Sequence, residues 1–282
     1  MATTEAVKEK TLIGELAAEF AGTFILIMFG VGVVAQVVVG AGAYGGALGD
    51  HDSIAWAWGL GVVLGIYTAG RMTGAHINPA VTLAMAVFRG FSWKKVVPYS
   101  VAQFLGAFVA ALLVRWNYTE GLNKVDPGLT IKSQGVFSTL PGNGVDIGVG
   151  MWGGFRDQLI GTALLLFLVL AIIDARNISP GVNLAPFIIG LVVVGIGMAW
   201  GTNAGYAINP ARDFGPRLAS FITGYGTAFR DQFGDLYFWV PIVGPLIGGL
   251  IGAGLYELLI GRFLPIADEA EQPERAPEEA AQ

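Results

Sequence analysis

The chain has 282 residues, 54% of them hydrophobic and 13% charged, with 42 glycines, no cysteine and a formal net charge of −5. Soluble domains carry about 25% charged residues, so one membrane-embedded unit is expected in place of two soluble domains. The same counts exclude disulfides, thiolate catalysis and cysteine-bound metal. The two histidines, His51 and His76, lie far apart, so no metal site or cofactor is expected, and no basic patch offers a nucleic-acid partner.

A span needs about 20 mostly apolar residues to cross a hydrocarbon core about 30 Å thick. Residues 1–11 form a polar tail, and the apolar run behind it lacks a small-residue cleavage pattern. Residues 12–39 are therefore expected to be a retained first span. The connection "GAGAYGGALGDHDS" carries no Lys or Arg and leads to a second span, 54–70. Asn78 then opens "NPAVTLAMAVF". From Pro79 to Phe88 is about 15 Å at 1.5 Å rise per residue, half a membrane. A third span covers 96–114, and a long connection, 115–157, mixes a few cations with acids. Spans at 159–173 and 184–200 follow, then a second short segment, "NPARDFGPRLASFI" from Asn209, and a last span, 238–260. Residues 265–282 are acidic, rich in Pro and Ala, and expected to be disordered. Lys8, Lys10, Arg71, Arg89, Lys94, Lys95, Arg176 and Arg262 fall on one side of a six-span chain. That bias puts both termini in the cytoplasm.

The chain repeats itself. With Asn78 aligned on Asn209, an offset of 209 − 78 = 131, Gly59-Leu60 falls on Gly190-Leu191, Gly74 on Gly205 and Ile77 on Ile208. Upstream "EFAGT" from Glu19 matches "QLIGT" from Gln158, and downstream "QFLGA" from Gln103 resembles "PLIGG" from Pro245. The repeats run over about 12–115 and 152–262, within one unit of 12–264. Each holds three spans, an odd number, so the second enters the membrane inverted. Inverted repeats place sites near the midplane, at broken helices. The fold expected is all-α: six transmembrane helices and two half-helices that meet tip to tip around a central pore.

Asn before Pro suits a helix start, with Asn as cap and Pro in the first turn. One such tripeptide is a cap and little else. Two copies, Asn78-Pro79-Ala80 and Asn209-Pro210-Ala211, put two carboxamides and two positive helix ends together. Arg212 follows in a first turn, where the helix dipole disfavours a cation.

"GAHINPAV" with "GYAINPARDFGPR", in inverted three-span halves, resembles the aquaporin or major intrinsic protein superfamily. Asp213 resembles its glycerol-facilitator branch, since water-selective members usually have a small residue there. The resemblance implies a homotetramer with one pore per subunit and an outer constriction. By motif offset its members here are Trp58, Gly197, Tyr206 and Arg212. Glycine at 197, where water-selective members usually have histidine, leaves room for Tyr206 against Trp58. Relatives often have phenylalanine at Tyr206. The resemblance also implies carbonyls lining the pore at Gly74, Ala75 and His76, and at Gly205, Tyr206 and Ala207. Glu19, an intramembrane carboxylate, would brace these loop carbonyls by hydrogen bonds. Its repeat partner is Gln158, where the family commonly has glutamate. Asp213 would complement the helix dipole and pair with a neighbouring arginine, and Arg217 would be structural.

The function implied is passive passage of glycerol, small polyols and water through a multi-pass protein of the plasma or cell inner membrane. Water- or urea-dominant channels of the same family are the alternatives. An ion-coupled carrier would need a second buried acid to partner Glu19, and none is evident. No nucleophile and base set suggests an enzyme.

Overall fold

The computed structural model describes residues 10–265 apart from Ala47. The readings of residues 1–9 as polar tail and of 266–282 as disordered tail lie outside the described residues. Six helices are long and apolar enough to span a membrane. They are α1 (Leu12–Ala43), α2 (His51–Thr73), α4 (Trp93–Asn117), α7 (Met151–Ile173), α8 (Ala185–Ala204) and α10 (Val240–Leu259). Between them stand the half-helices α3 (Pro79–Phe88) and α9 (Pro210–Ile222), and the short α5 (Thr119–Val125) and α6 (Ile131–Gln134).

Hydropathy found the spans but not their ends, because helices continue into polar sequence where capping supports them. Helix α2 starts at His51, ahead of the apolar run. Asp50 accepts the Ser53 N–H at 3.0 Å while Ser53 Oγ accepts the Asp50 N–H at 3.2 Å, a reciprocal cap. Helix α7 begins at Met151, so Arg156 and Asp157 belong to its first turns and not to the preceding connection. That connection is also not featureless. It holds α5, α6 and a 3-10 turn over Pro141–Gly144.

The packing follows the repeat. Helix α1 packs on α2 and α4, and α7 on α8 and α10. Each half-helix packs on the last span of the other half, α3 on α10 and α9 on α4. Two pairs of glycines, equivalent in the two halves, let helix backbones approach closely. Gly59 and Gly190, partners in the repeat, face each other where α2 crosses α8: a Cβ on Gly59 would lie 2.7 Å from the Gly190 oxygen, and one on Gly190 would lie 2.8 Å from the Gly59 oxygen. A Cβ on Gly106 would overlap the Phe20 carbonyl, and one on Gly248 the equivalent Leu159 carbonyl. In lipid, where no hydrophobic drive joins helices, such small residues permit the backbone contact that holds a bundle together. The outer faces are apolar. On α2, Trp56, Leu60 and Leu64 are exposed while Trp58 and Val62 are buried inward.

Candidate functional site

The site is built from two loops of unusual backbone. After α2, Gly74, Ala75 and Ile77 have φ of +82°, +55° and +42°. After α8, the equivalent Gly205, Tyr206 and Ile208 have φ of +68°, +36° and +44°. A non-glycine residue in the left-handed region costs about 1–3 kcal/mol, and a β-branched one is rarer still. Such strain persists only where the surroundings hold it.

In the first loop Glu19 does so. It is fully buried. Its Oε1 accepts from Thr73 Oγ1 at 2.6 Å and the His76 N–H at 2.9 Å. Its Oε2 accepts from the Ile77 N–H and from Gln103 Nε2, both at 2.7 Å. Thr73 Oγ1 in turn accepts the Ala75 N–H at 2.9 Å. The expected bracing of carbonyls by Glu19 needs correction, since a carboxylate accepts and cannot donate to another acceptor. It holds the amide hydrogens instead. In a trans peptide the N–H and C=O point opposite ways. Fixing the N–H groups of residues 75, 76 and 77 therefore turns the carbonyls of Gly74, Ala75 and His76 away from Glu19. All three residues line the cavity on that side. The His76 ring stays in the fold, beside Thr82 Oγ1 at 3.2 Å and edge-on to Phe91.

In the second loop Gln158 bonds differently. Its Oε1 accepts the Ile208 N–H at 3.0 Å, which turns the Ala207 carbonyl away, and its Nε2 donates to the Ala204 carbonyl at 2.9 Å.

The half-helix tips cross-link. Asn78 Oδ1 caps α3 through the Ala80 N–H at 2.8 Å, and Asn209 Oδ1 caps α9 through the Ala211 and Arg212 N–H groups at 3.0 and 3.2 Å. Asn78 Nδ2 donates to the Ile208 carbonyl at 2.9 Å, and Asn209 Nδ2 donates to the Ile77 carbonyl at 2.8 Å. An amide nitrogen has two hydrogens, so each asparagine keeps one for the cavity that both line.

Two cavities meet in this region. The larger, about 330 Å³, runs past both loops and asparagines and is mostly apolar, with Leu26, Val62, Ile189 and Val193 in its wall. The other, about 280 Å³, is lined by the long connection, α1 and the start of α2. Trp58, Tyr206 and Arg212 are the three residues common to both linings. The Arg212 guanidinium carbon sits 3.9 Å from the Trp58 ring centre, a cation–π contact worth about 0.5–2 kcal/mol. Among the described residues the guanidinium has no ion pair. Gly197 lines neither cavity. It lies behind Tyr206, where a Cβ would come within 2.9 Å of the ring and 3.1 Å of the hydroxyl oxygen. Among the described residues that buried hydroxyl has no hydrogen-bond partner, so Tyr206 offers its ring to the lumen.

A family model for the major intrinsic protein matches residues 6–256. The chain belongs to the major intrinsic protein family. It is 43% identical to a probable aquaglyceroporin-2 of Gibberella zeae over 86% of this chain and 71% of that one. It is 40% identical to the glycerol uptake facilitator protein of Escherichia coli over 90% of this chain and 91% of that one. The solved aquaglyceroporin of Plasmodium falciparum superimposes with a TM-score of 0.79 at 30% identity, covering 90% of this chain and 99% of that one. Family membership and six apolar helices make this a multi-pass integral membrane protein.

The expected pairing of Asp213 with a neighbouring arginine is present, and it is the partners around that pair that escaped the sequence reading. Asp213 Oδ2 accepts the Thr139 N–H and hydroxyl, each at 2.7 Å, and its Oδ1 accepts Arg217 Nε at 2.7 Å. Arg217, fully buried, also donates to the carbonyls of Ala228 and Thr139. Asn143 Nδ2 donates to the carbonyls of Gly201 and Thr202 at the end of α8. Thr139 and Asn143 lie in the long connection, and nothing in their local sequence marks them. The expectation of no second buried acid is also corrected. Within the spans and half-helices Glu15, Asp157 and Asp213 are buried with Glu19. Glu15 pairs with Lys95 at 2.8 Å and accepts from Tyr99, and among the described residues both Asp157 oxygens lack hydrogen-bond partners. None of the four acids lines either cavity.

Proposed function

We propose that this chain is a passive channel for glycerol and related small uncharged polyols, which also passes water and excludes ions and protons. The observation that carries this is the junction of Trp58, Tyr206 and Arg212 between the two cavities. Two aromatic faces accept the C–H side of a polyol, and the guanidinium donates to its hydroxyls. Gly197 serves the constriction by making room for the Tyr206 ring. Along the pore the remaining amide hydrogens of Asn78 and Asn209 donate, and the carbonyls of Gly74, Ala75, His76, Tyr206 and Ala207 accept, with that of Gly205 on the side of the outer cavity. Pro79, Ala80, Pro210 and Ala211 form the first turns that aim two positive helix ends at the centre. With Arg212 these set a barrier to cations. The named glycerol function of the E. coli relative supports the substrate class.

The protein is proposed to work as a homotetramer in the plasma or cell inner membrane, with both termini cytoplasmic. The distribution of Arg71, Arg89, Lys94, Lys95, Arg176 and Arg262 supports this orientation. The test is stopped-flow light scattering of proteoliposomes with glycerol, water and urea and no ion gradient. Glycerol is expected to equilibrate faster than in empty vesicles. Transport that stops when a proton or sodium gradient is collapsed defeats the reading. Arg212→Ala is expected to raise proton leak, and unchanged leak with unchanged solute order counts against its role.

A further inference from the structure

His51 opens α2 and has no part in the site as described so far. Its Nε2 lies 2.9 Å from the Gly197 carbonyl oxygen. A carbonyl only accepts, so Nε2 carries the proton, and the neutral ring keeps a lone pair on Nδ1. The ring presses on the last turns of α8. A Cβ on Gly201 would run into His51 Cε1 and would lie 3.2 Å from Tyr206 Cδ1. Gly197 and Gly201 thus form a step on α8 that seats the Tyr206 ring, with His51 packed at its Gly201 end. His51 also lines the outer of the two cavities, beside Arg212.

We propose that His51 is a positioning residue for the constriction: its bond to the Gly197 carbonyl fixes the part of α8 against which Tyr206 leans, and so sets the size of solute that the constriction admits. The proposal rests on the channel reading above. The groups that face the ring's cavity are few. Lys132 comes from the long connection, Arg212 from α9 and Tyr206 from the second loop. α8 offers only Gly197 and Gly201 at the contact, and α1 offers Val34 and Val38. Asp50 and Asp52 flank His51 on its own helix end. Nδ1 is left as an acceptor on the side of the cavity that also holds the donors of Arg212.

The experiment uses the full chain in proteoliposomes, reading glycerol, a four-carbon polyol and water. His51→Ala removes the anchor and is expected to raise four-carbon polyol flux relative to glycerol by about threefold. His51→Gln keeps an N–H for the Gly197 carbonyl and an amide oxygen as acceptor, and is expected to restore the wild-type solute order. A wild-type solute order in His51→Ala overturns the proposal, as does a His51→Gln order that matches His51→Ala. If His51→Ala does not fold, His51→Leu, which fills the space without an N–H, decides by the same flux ratio. A wild type that conducts no glycerol defeats the channel reading instead, and the water flux of His51→Ala against His51→Gln then decides the role of His51.

Discussion

The two loops at the centre of the molecule have the same backbone and different chemistry. In the first, one buried carboxylate accepts four hydrogen bonds, and three consecutive N–H groups are held by Glu19 and Thr73. In the second, Gln158 accepts one and donates one. There the hold comes from outside the loop: Asn143 ties the end of α8, and Asp213, paired with Arg217 within α9, joins that helix to Thr139. The φ values nonetheless agree within about 20° at each equivalent position. A charge held by many donors and a dispersed polar network can therefore stabilise one strained conformation. The second arrangement suits a loop followed by Arg212, because the paired Asp213–Arg217 unit adds no net charge beside it.

Variants that break this comparison rank by how many buried groups each leaves unpaired. Glu19→Ala has the largest expected effect. It strands two amide hydrogens and the Gln103 amide, each worth about 1–3 kcal/mol, and thermal unfolding in lipid should show failure to fold or a collapsed midpoint. Arg217→Ala comes next, since removing one partner of a buried ion pair costs about 3–5 kcal/mol. Its midpoint should fall well below wild type, with Asp213→Asn in the same background recovering part of the loss. Gln158→Glu tests whether the second loop tolerates the carboxylate of the first. The donor to Ala204 is lost and two acceptors face each other, for an expected loss of about 1–3 kcal/mol. A gain in stability would show that the loops are interchangeable and would break the comparison. Tyr206→Phe is the smallest: the hydroxyl it removes has no partner, so stability should hold or rise by less than about 1 kcal/mol. The solute order should stay unchanged, and a shifted order would show that the hydroxyl reaches the lumen.

The six spans, the two half-length helices, the duplication and the inversion that three spans per half require were all legible along the chain. These follow from hydropathy, helix length and parity, which are local or additive properties of the chain. Trp58, Gly197, Tyr206 and Arg212 were marked only through the family resemblance, by their offsets from the two Asn-Pro-Ala tripeptides. The folded chain was needed to show that Asn78 and Asn209 donate across the pseudo-twofold to each other's loops, and that the Tyr206 hydroxyl turns toward Gly197. It was needed also to show that Glu19 grips amide hydrogens, and that Thr139, Asn143 and His51 stand behind the second tip. These contacts join residues from tens to more than a hundred positions apart, and they depend on side-chain direction and loop path. Neither leaves a periodic trace in composition or hydropathy, so no window of sequence could report them.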